Sequence, residues 1–97
     1  MNIEEKSIYD AIKLAGKKLA HVHVCENDRG APGSGLVDWK GLAKGLADIN
    51  YKGDAVIESF TPECKTIAAA AAIWRPLAKS QDGLATDGLK FLKKLLK

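Results

Sequence analysis

The chain has 97 residues, which is enough for one small domain spanning residues 1–97 and not for two. Hydrophobic residues make up 46% and charged residues 28%, as in ordinary globular proteins. The net charge of +3 is too small, and the lysines are too scattered, to indicate a nucleic-acid partner.

The first half of the chain predicts a helix, a strand and a second helix. Asn2 and Glu5 are spaced as a capping box, and apolar residues follow at helical spacing. Residues 19–24, LAHVHV, are short, β-branched and bounded by turn signals, which predicts a buried strand. After a loop rich in glycine, Asp38 is placed to cap a helix over residues 39–49.

The second half repeats this alternation and adds a helix. Residues 55–60, AVIESF, predict a second strand, and residues 63–74 predict a helix that buries Trp74. Residues 82–86 are expected to form a loop, and residues 87–97 an amphipathic helix with a solvated lysine face.

The predicted order is therefore α-β-α-β-α-α. Strands that alternate with helices indicate parallel βαβ units. Two parallel strands cannot bury both faces of a sheet, so further strands must come from elsewhere. We therefore expect open strand edges and self-association through them.

The sequence also predicts where the protein works. The longest apolar run, residues 67–74, is far shorter than the roughly 20 residues that cross a bilayer. Residues 1–6 lack the basic start of a secretory signal. Cys25 and Cys64 form neither a disulfide framework nor a CxxC motif. We expect a reduced, cytoplasmic protein without a membrane partner.

Residues with metal-binding chemistry end both predicted strands. His21, His23 and Cys25 alternate along one face of the first strand, and Glu58 lies near the end of the second. Active sites of parallel α/β folds lie beyond these strand ends. Imidazole and carboxylate together suit a divalent ion such as Mn²⁺. The alternative is a core histidine with a carboxylate that is paired to a neighbouring arginine or lysine.

Two stretches of sequence carry a resemblance to a known family. HVHVCENDRGAPGSGLVDW at residues 21–39 and INYKGDAVIESF at residues 49–60 resemble ketose 3-epimerases of the tagatose/psicose type. These enzymes belong to the xylose-isomerase-like TIM-barrel superfamily. The resemblance covers most of the chain and implies an α/β fold, the C-terminal part of a (β/α)8 barrel that typically takes about 250 residues.

The resemblance implies roles for three charged or ionisable residues. His23 resembles a metal ligand, and Glu58 resembles a glutamate that binds the metal and acts as one of two acid/base groups. Arg29 resembles an arginine that contacts the sugar oxygens near the reacting carbons. The implied reaction inverts C3 of a ketose through a cis-enediolate, with a divalent cofactor for which Mn²⁺ is expected and Co²⁺ or Mg²⁺ are alternatives.

Further positions in the same stretches have weaker counterparts. Glu26 is expected to hold Arg29 or the sugar, and His21 to support a ligand or pack without binding the metal. Phe60 either lines the sugar pocket or only packs. The glycine-rich loop at residues 30–35 is expected to close over sugar, with a phosphate cradle as the alternative.

The family pattern also needs residues that this sequence does not contain. The resemblance implies two further metal ligands, an aspartate and a glutamate that is also the other acid/base group, and a substrate histidine, all of which would precede Met1. We therefore expect the isolated chain to be inactive as an epimerase. The alternative is a non-catalytic barrel fragment that self-associates and has no independent function.

Overall fold

The computed structural model describes residues 4–97 of the chain. Its elements follow the predicted order α-β-α-β-α-α, with one additional 3₁₀ turn. They are α1 (Ile8–Ala15) with the 3₁₀ turn (Gly16–Lys18), β1 (Val22–Val24), α2 (Trp39–Asp48), β2 (Ala55–Ile57), α3 (Lys65–Ala70) and α4 (Gln81–Leu95).

The two strands are neighbours in a two-stranded parallel sheet. Both are shorter than the sequence predicts, at three residues each. The pairing extends beyond them, because the Glu58 N–H donates to the Val24 carbonyl at 2.9 Å. Within the described residues each strand has a partner on one edge only, and parallel strands normally have their edges and faces covered.

Contacts within the chain form two compact units. The first comprises the chain up to Val22 together with Asp38–Ala55. In it α1 packs against α2, and a side chain at Gly45 would lie 3.1 Å from Ile12 carbon atoms, so glycine permits a close helix crossing. The apolar side chains that α2 buries follow helical spacing, namely Trp39, Leu42 and Leu46.

An exposed polar cluster also joins α1 to α2 in this unit. The Asp48 carboxylate accepts hydrogen bonds from Lys44 Nζ at 2.8 Å and from the Tyr9 hydroxyl at 2.7 Å. These bonds, with the Lys44 bond the larger effect, lower the pKa of Asp48. The hydrogen bond to Asp48, followed by that to Tyr9, raises the pKa of Lys44. Because both groups are exposed, solvent screens the attraction.

The second unit comprises His23–Val37 and Val56–Lys97. Helix α4 begins earlier than predicted, at Gln81, so the prediction of a loop at residues 82–86 is wrong. The Ser80 side chain accepts from the Gly83 N–H at 3.0 Å and caps a helix that includes those residues. Buried positions at a spacing of four, Leu84, Gly88 and Leu92, then give α4 one apolar face.

Glycine inside α4 is explained by close packing. A Cβ at Gly88 would lie 2.8 Å from Pro32 and 3.0 Å from Ile57 side-chain atoms. Packing therefore overrides the low helix propensity of glycine at this position.

The predicted ends of α1 and α3 also need correction. Helix α1 begins at Ile8, where the Ser7 side chain accepts from the Asp10 N–H, so Glu5 precedes the helix and is not part of its first turn. The cap predicted at Asn2 lies outside the described residues. Helix α3 ends at Ala70, and Ala72 turns the chain with a φ of 53°. Trp74 consequently lies outside the core with 88% of its surface exposed, contrary to prediction.

Among residues 4–97, no helix is long and apolar enough to cross a membrane. The cytoplasmic location stays a prediction.

Candidate active site

The two strand ends bring His23 and Glu58 together. His23 Nδ1 lies 3.0 Å from Glu58 Oε2, with the two side chains 51% and 38% exposed. The backbone pairing explains why the two side chains are close, because the Glu58 N–H donates to the carbonyl of Val24, the residue after His23. A half-exposed imidazole and carboxylate at the carboxyl ends of parallel strands are accessible to a ligand.

Arg29 reaches the same carboxylate from the loop after β1. Its Nη1 lies 3.6 Å from Glu58 Oε1 and donates to the Cys25 sulfur at 3.5 Å. Glu58 therefore lies between an imidazole and a guanidinium, one beside each of its oxygens. This arrangement places a fixed positive charge next to a carboxylate that can exchange protons.

The main chain of Arg29 is held on both sides. Its N–H donates to the Glu26 carbonyl at 3.0 Å, and its own carbonyl accepts from the Phe60 N–H at 3.2 Å. Its φ is 69°, a left-handed conformation that costs a non-glycine residue about 1–2 kcal/mol. Such a conformation persists only where surrounding hydrogen bonds fix it.

The glycine-rich loop folds around two acceptor side chains. Buried Glu26 accepts from the Gly33 N–H at 2.9 Å and the Val37 N–H at 3.2 Å. Asn27 Oδ1 accepts from the Leu36 N–H at 3.0 Å. The Gly33 N–H, which lies within the loop of residues 30–35, is thus used within the chain, and this argues against the alternative of a phosphate cradle.

The other predicted site residues have different environments. Phe60 is half-buried and follows β2, where its N–H contacts the Arg29 carbonyl. His21 is exposed and belongs to the first unit, whereas the side chains described above belong to the second. The substrate-binding roles of Arg29, Glu26 and Phe60, and the supporting role of His21, stay predictions.

The donor pair fits part of a divalent metal site. Two ligands at right angles on an ion with bonds of about 2.1 Å lie about 3.0 Å apart. The separation of 3.0 Å between His23 Nδ1 and Glu58 Oε2 matches one such edge. Among residues 4–97, no group of three or more His, Cys, Asp or Glu side chains could hold an ion.

A family comparison agrees with this fold and motif pattern. The family model described as "Xylose isomerase-like TIM barrel" matches residues 1–95. The chain belongs to this family. Its two parallel strands and flanking helices are part of a (β/α) barrel, and the resemblance predicted from sequence is confirmed.

Curated relatives of this family member are named as sugar epimerases. It is 45% identical over 93 residues to a probable ketose 3-epimerase of Synechocystis sp., covering 96% of the chain and 32% of the relative. It is 40% identical over 87 residues to a D-psicose 3-epimerase of Enterocloster bolteae, covering 90% of the chain and 29% of the relative. The chain thus spans about a third of the length of these relatives.

Solved structures show the same likeness. A D-allulose 3-epimerase from Methylomonas sp. matches with a TM-score of 0.88 and 36% identity, over 99% of this chain and 34% of that one. An L-ribulose 3-epimerase matches with a TM-score of 0.89 and 35% identity, over 99% and 33%. The Methylomonas enzyme has also been solved in complex with D-allulose.

Sequence reasoning missed two polar residues that shape the site. Asn27 holds the Leu36 amide, and the Ser59 hydroxyl donates to the Gly30 carbonyl at 2.8 Å. An asparagine in a glycine-rich loop could have indicated the role of Asn27, since asparagine side chains often form hydrogen bonds with nearby backbone groups in turns. Ser59 has no such signal, because its role depends on a contact with a distant loop.

Proposed function

We propose that this chain is the segment of a metal-dependent ketose 3-epimerase that supplies one acid/base group, two metal ligands and an arginine. The reaction inverts C3 of a ketose by proton transfer through a cis-enediolate. The observation that carries the proposal is the convergence of His23 and Arg29 on the two oxygens of Glu58. Relatives named as ketose epimerases support the sugar class.

Glu58 is the residue that moves a proton. A carboxylate is a competent general base when it lies within reach of the carbon-bound proton. It is 38% exposed, so a substrate bound above the strand ends can contact it. Because a second carboxylate is needed on the opposite side of the sugar, Glu58 alone performs only one of the two proton transfers.

Arg29 stabilises negative charge that develops on the substrate oxygens. Its guanidinium is 32% exposed and its main chain is fixed, so the charge is in place before the reaction. A preorganised charge of this kind costs no reorganisation at the transition state. Phe60 supplies apolar surface beside the sugar.

His23 and Glu58 would hold the divalent ion, with Mn²⁺ the expected ion and Co²⁺ or Mg²⁺ as alternatives. When bound, the ion polarises the ketose carbonyl and neutralises developing charge. His23 must be neutral to bind an ion, and the adjacent Glu58 must be ionised, so we expect binding to weaken as the pH falls.

A chimera tests this proposal directly. The preceding two thirds of the Synechocystis relative, joined to this chain in place of its own matched segment, would supply the missing part of the barrel. We call this protein the completed barrel. With Mn²⁺ it should interconvert D-psicose or D-tagatose with its C3 epimer, and Glu58→Gln should abolish turnover. A folded, Mn²⁺-loaded completed barrel without turnover on any ketose tested would overturn the proposal.

The isolated chain provides the second arm of the test. We expect no epimerase activity from it with Mn²⁺, because one carboxylate cannot exchange protons on both faces of C3. Clear turnover by the purified 97-residue protein would contradict this expectation.

Self-association without catalysis is the second candidate function. Two large apolar side chains of the second unit are unusually exposed, Leu36 at 87% and Trp74 at 88%. Apolar surface of this kind promotes association where it is contiguous, and the edges of the two-stranded sheet that the described residues leave open are templates for pairing with another chain. Light scattering on the isolated chain separates the two candidate functions. Stable oligomers of the isolated chain, together with an inactive completed barrel, would favour self-association without catalysis.

A further inference from the structure

Glu26 is a buried acid that the proposed reaction does not use. Only 2% of its surface is exposed, so no sugar can reach it without a change in the loop. A buried carboxylate costs several kcal/mol unless it is hydrogen-bonded. Here the Gly33 and Val37 N–H groups supply charge-assisted hydrogen bonds to its two oxygens.

The loop is shaped to bring these amides to the carboxylate. A Cβ at Gly35 would lie 2.6 Å from Glu26 Oε2 and 2.7 Å from Asn27 Oδ1. Gly33 has a φ of 92°, and a Cβ there would lie 2.5 Å from the Phe91 ring. Gly33 is therefore required by its backbone conformation and by the nearby ring, and Gly35 leaves the space that the Glu26 carboxylate occupies.

Glu26 is also joined to Arg29 through the main chain. The Glu26 carbonyl accepts from the Arg29 N–H, and the Glu26 N–H donates to the Gly30 carbonyl at 3.1 Å. The Gly30 carbonyl accepts a second bond from Ser59, directly after Glu58. The side chain of Glu26 anchors the far end of the loop, while its backbone fixes the turn that bears Arg29.

We propose that Glu26 is a positioning residue that sets Arg29 beside Glu58 by folding the loop of residues 30–37 around its carboxylate. This inference rests on the proposed function for its catalytic consequence. The role differs from sugar binding, because both oxygens of Glu26 bond loop amides and Arg29 is the group that contacts substrate.

Hydrogen exchange on the full 97-residue chain tests the structural step. Glu26→Gln keeps the side-chain size but turns one acceptor into an NH2 donor that faces an amide N–H. We expect the Gly33 or Val37 amide to exchange roughly 10- to 100-fold faster, as for loss of a bond to a charged group. The Arg29 amide should also exchange faster, whereas that of Leu92 in α4 should not change. Exposed Glu63 provides the matched control, Glu63→Gln.

Unchanged exchange at Gly33, Val37 and Arg29 would overturn the inference. Uniformly faster exchange throughout the second unit would also overturn it, because Glu26 would then stabilise the whole unit and would not specifically position Arg29. Asn27→Ala distinguishes the two acceptors: it should release Leu36 and leave Arg29 protected.

A double-variant comparison in the completed barrel tests the catalytic step. If Glu26 acts through Arg29, Glu26→Gln lowers kcat more than it raises KM, and adding it to Arg29→Lys causes no further loss. Additive losses in the two variants would overturn the positioning role. An inactive unsubstituted completed barrel would count against the proposed function, and the exchange rates would still decide whether Glu26 positions Arg29.

Discussion

Replacing Glu58 with glutamine separates the metal-site interpretation from a simple structural ion pair. Glu58→Gln keeps the shape and removes the charge that faces His23 at 3.0 Å and Arg29 at 3.6 Å. All three side chains are between 32% and 51% exposed, so water screens both interactions. Exposed ion pairs contribute about 0–1 kcal/mol each, and we expect the free energy of unfolding to fall by at most about 1–2 kcal/mol.

Metal affinity should respond much more strongly than stability. Loss of residues that only orient metal ligands reduces affinity roughly 10–100-fold, and loss of a ligand should exceed that range. Urea denaturation of the isolated chain measures the free energy of unfolding, and Mn²⁺ titration of the completed barrel measures the metal affinity. Glu63→Gln should change neither. A variant with unchanged Mn²⁺ affinity, or one destabilised by several kcal/mol, would refute the reasoning and favour a structural pair.

Three further predictions concern the scaffold. Leu92→Ala should lower the free energy of unfolding by about 2–5 kcal/mol in urea denaturation, because Leu92 is 5% exposed. The hydrogen bond from Lys44 lowers the pKa of Asp48 below its ordinary value of 3.8. Asp48 should therefore stabilise the fold above pH 3.8, and this contribution should be lost as the pH falls through the folded-state pKa. Asp48→Asn should remove this pH dependence of the free energy of unfolding, as measured by denaturation at a series of pH values. Gly33→Ala should cost about 1–3 kcal/mol or more, and should exceed Gly16→Ala, because both have positive φ but only the Gly33 Cβ would meet an aromatic ring.

Much of the fold was predictable because its strongest signals are local. Asp38 caps α2 as expected, and the short β-branched runs within residues 19–24 and 55–60 correctly identified both strands. The meeting of His23 and Glu58 follows from a general rule, since neighbouring parallel strands end at the same edge. The family resemblance then added roles that no spacing could supply.

The misses have local and tertiary causes. Residues 82–86 resemble a loop until the Ser80 side chain is seen to cap the helix at the Gly83 N–H. Trp74 looks like a core residue until the left-handed turn at Ala72 ends α3 early. The bonds of Glu26 to loop amides 7 and 11 residues away depend on a loop path that no periodic pattern encodes.

The hydrogen bond from the Glu58 amide to the Val24 carbonyl fixes the register of β2 against β1. Side chains of a strand alternate between faces, so gaining or losing one residue within 55–57 would turn the carboxylate away from His23. The same change in the turn at residues 50–54 would leave the carboxylate in place. Natural variation in chain length is therefore expected in that turn and excluded from the three residues that precede the acid.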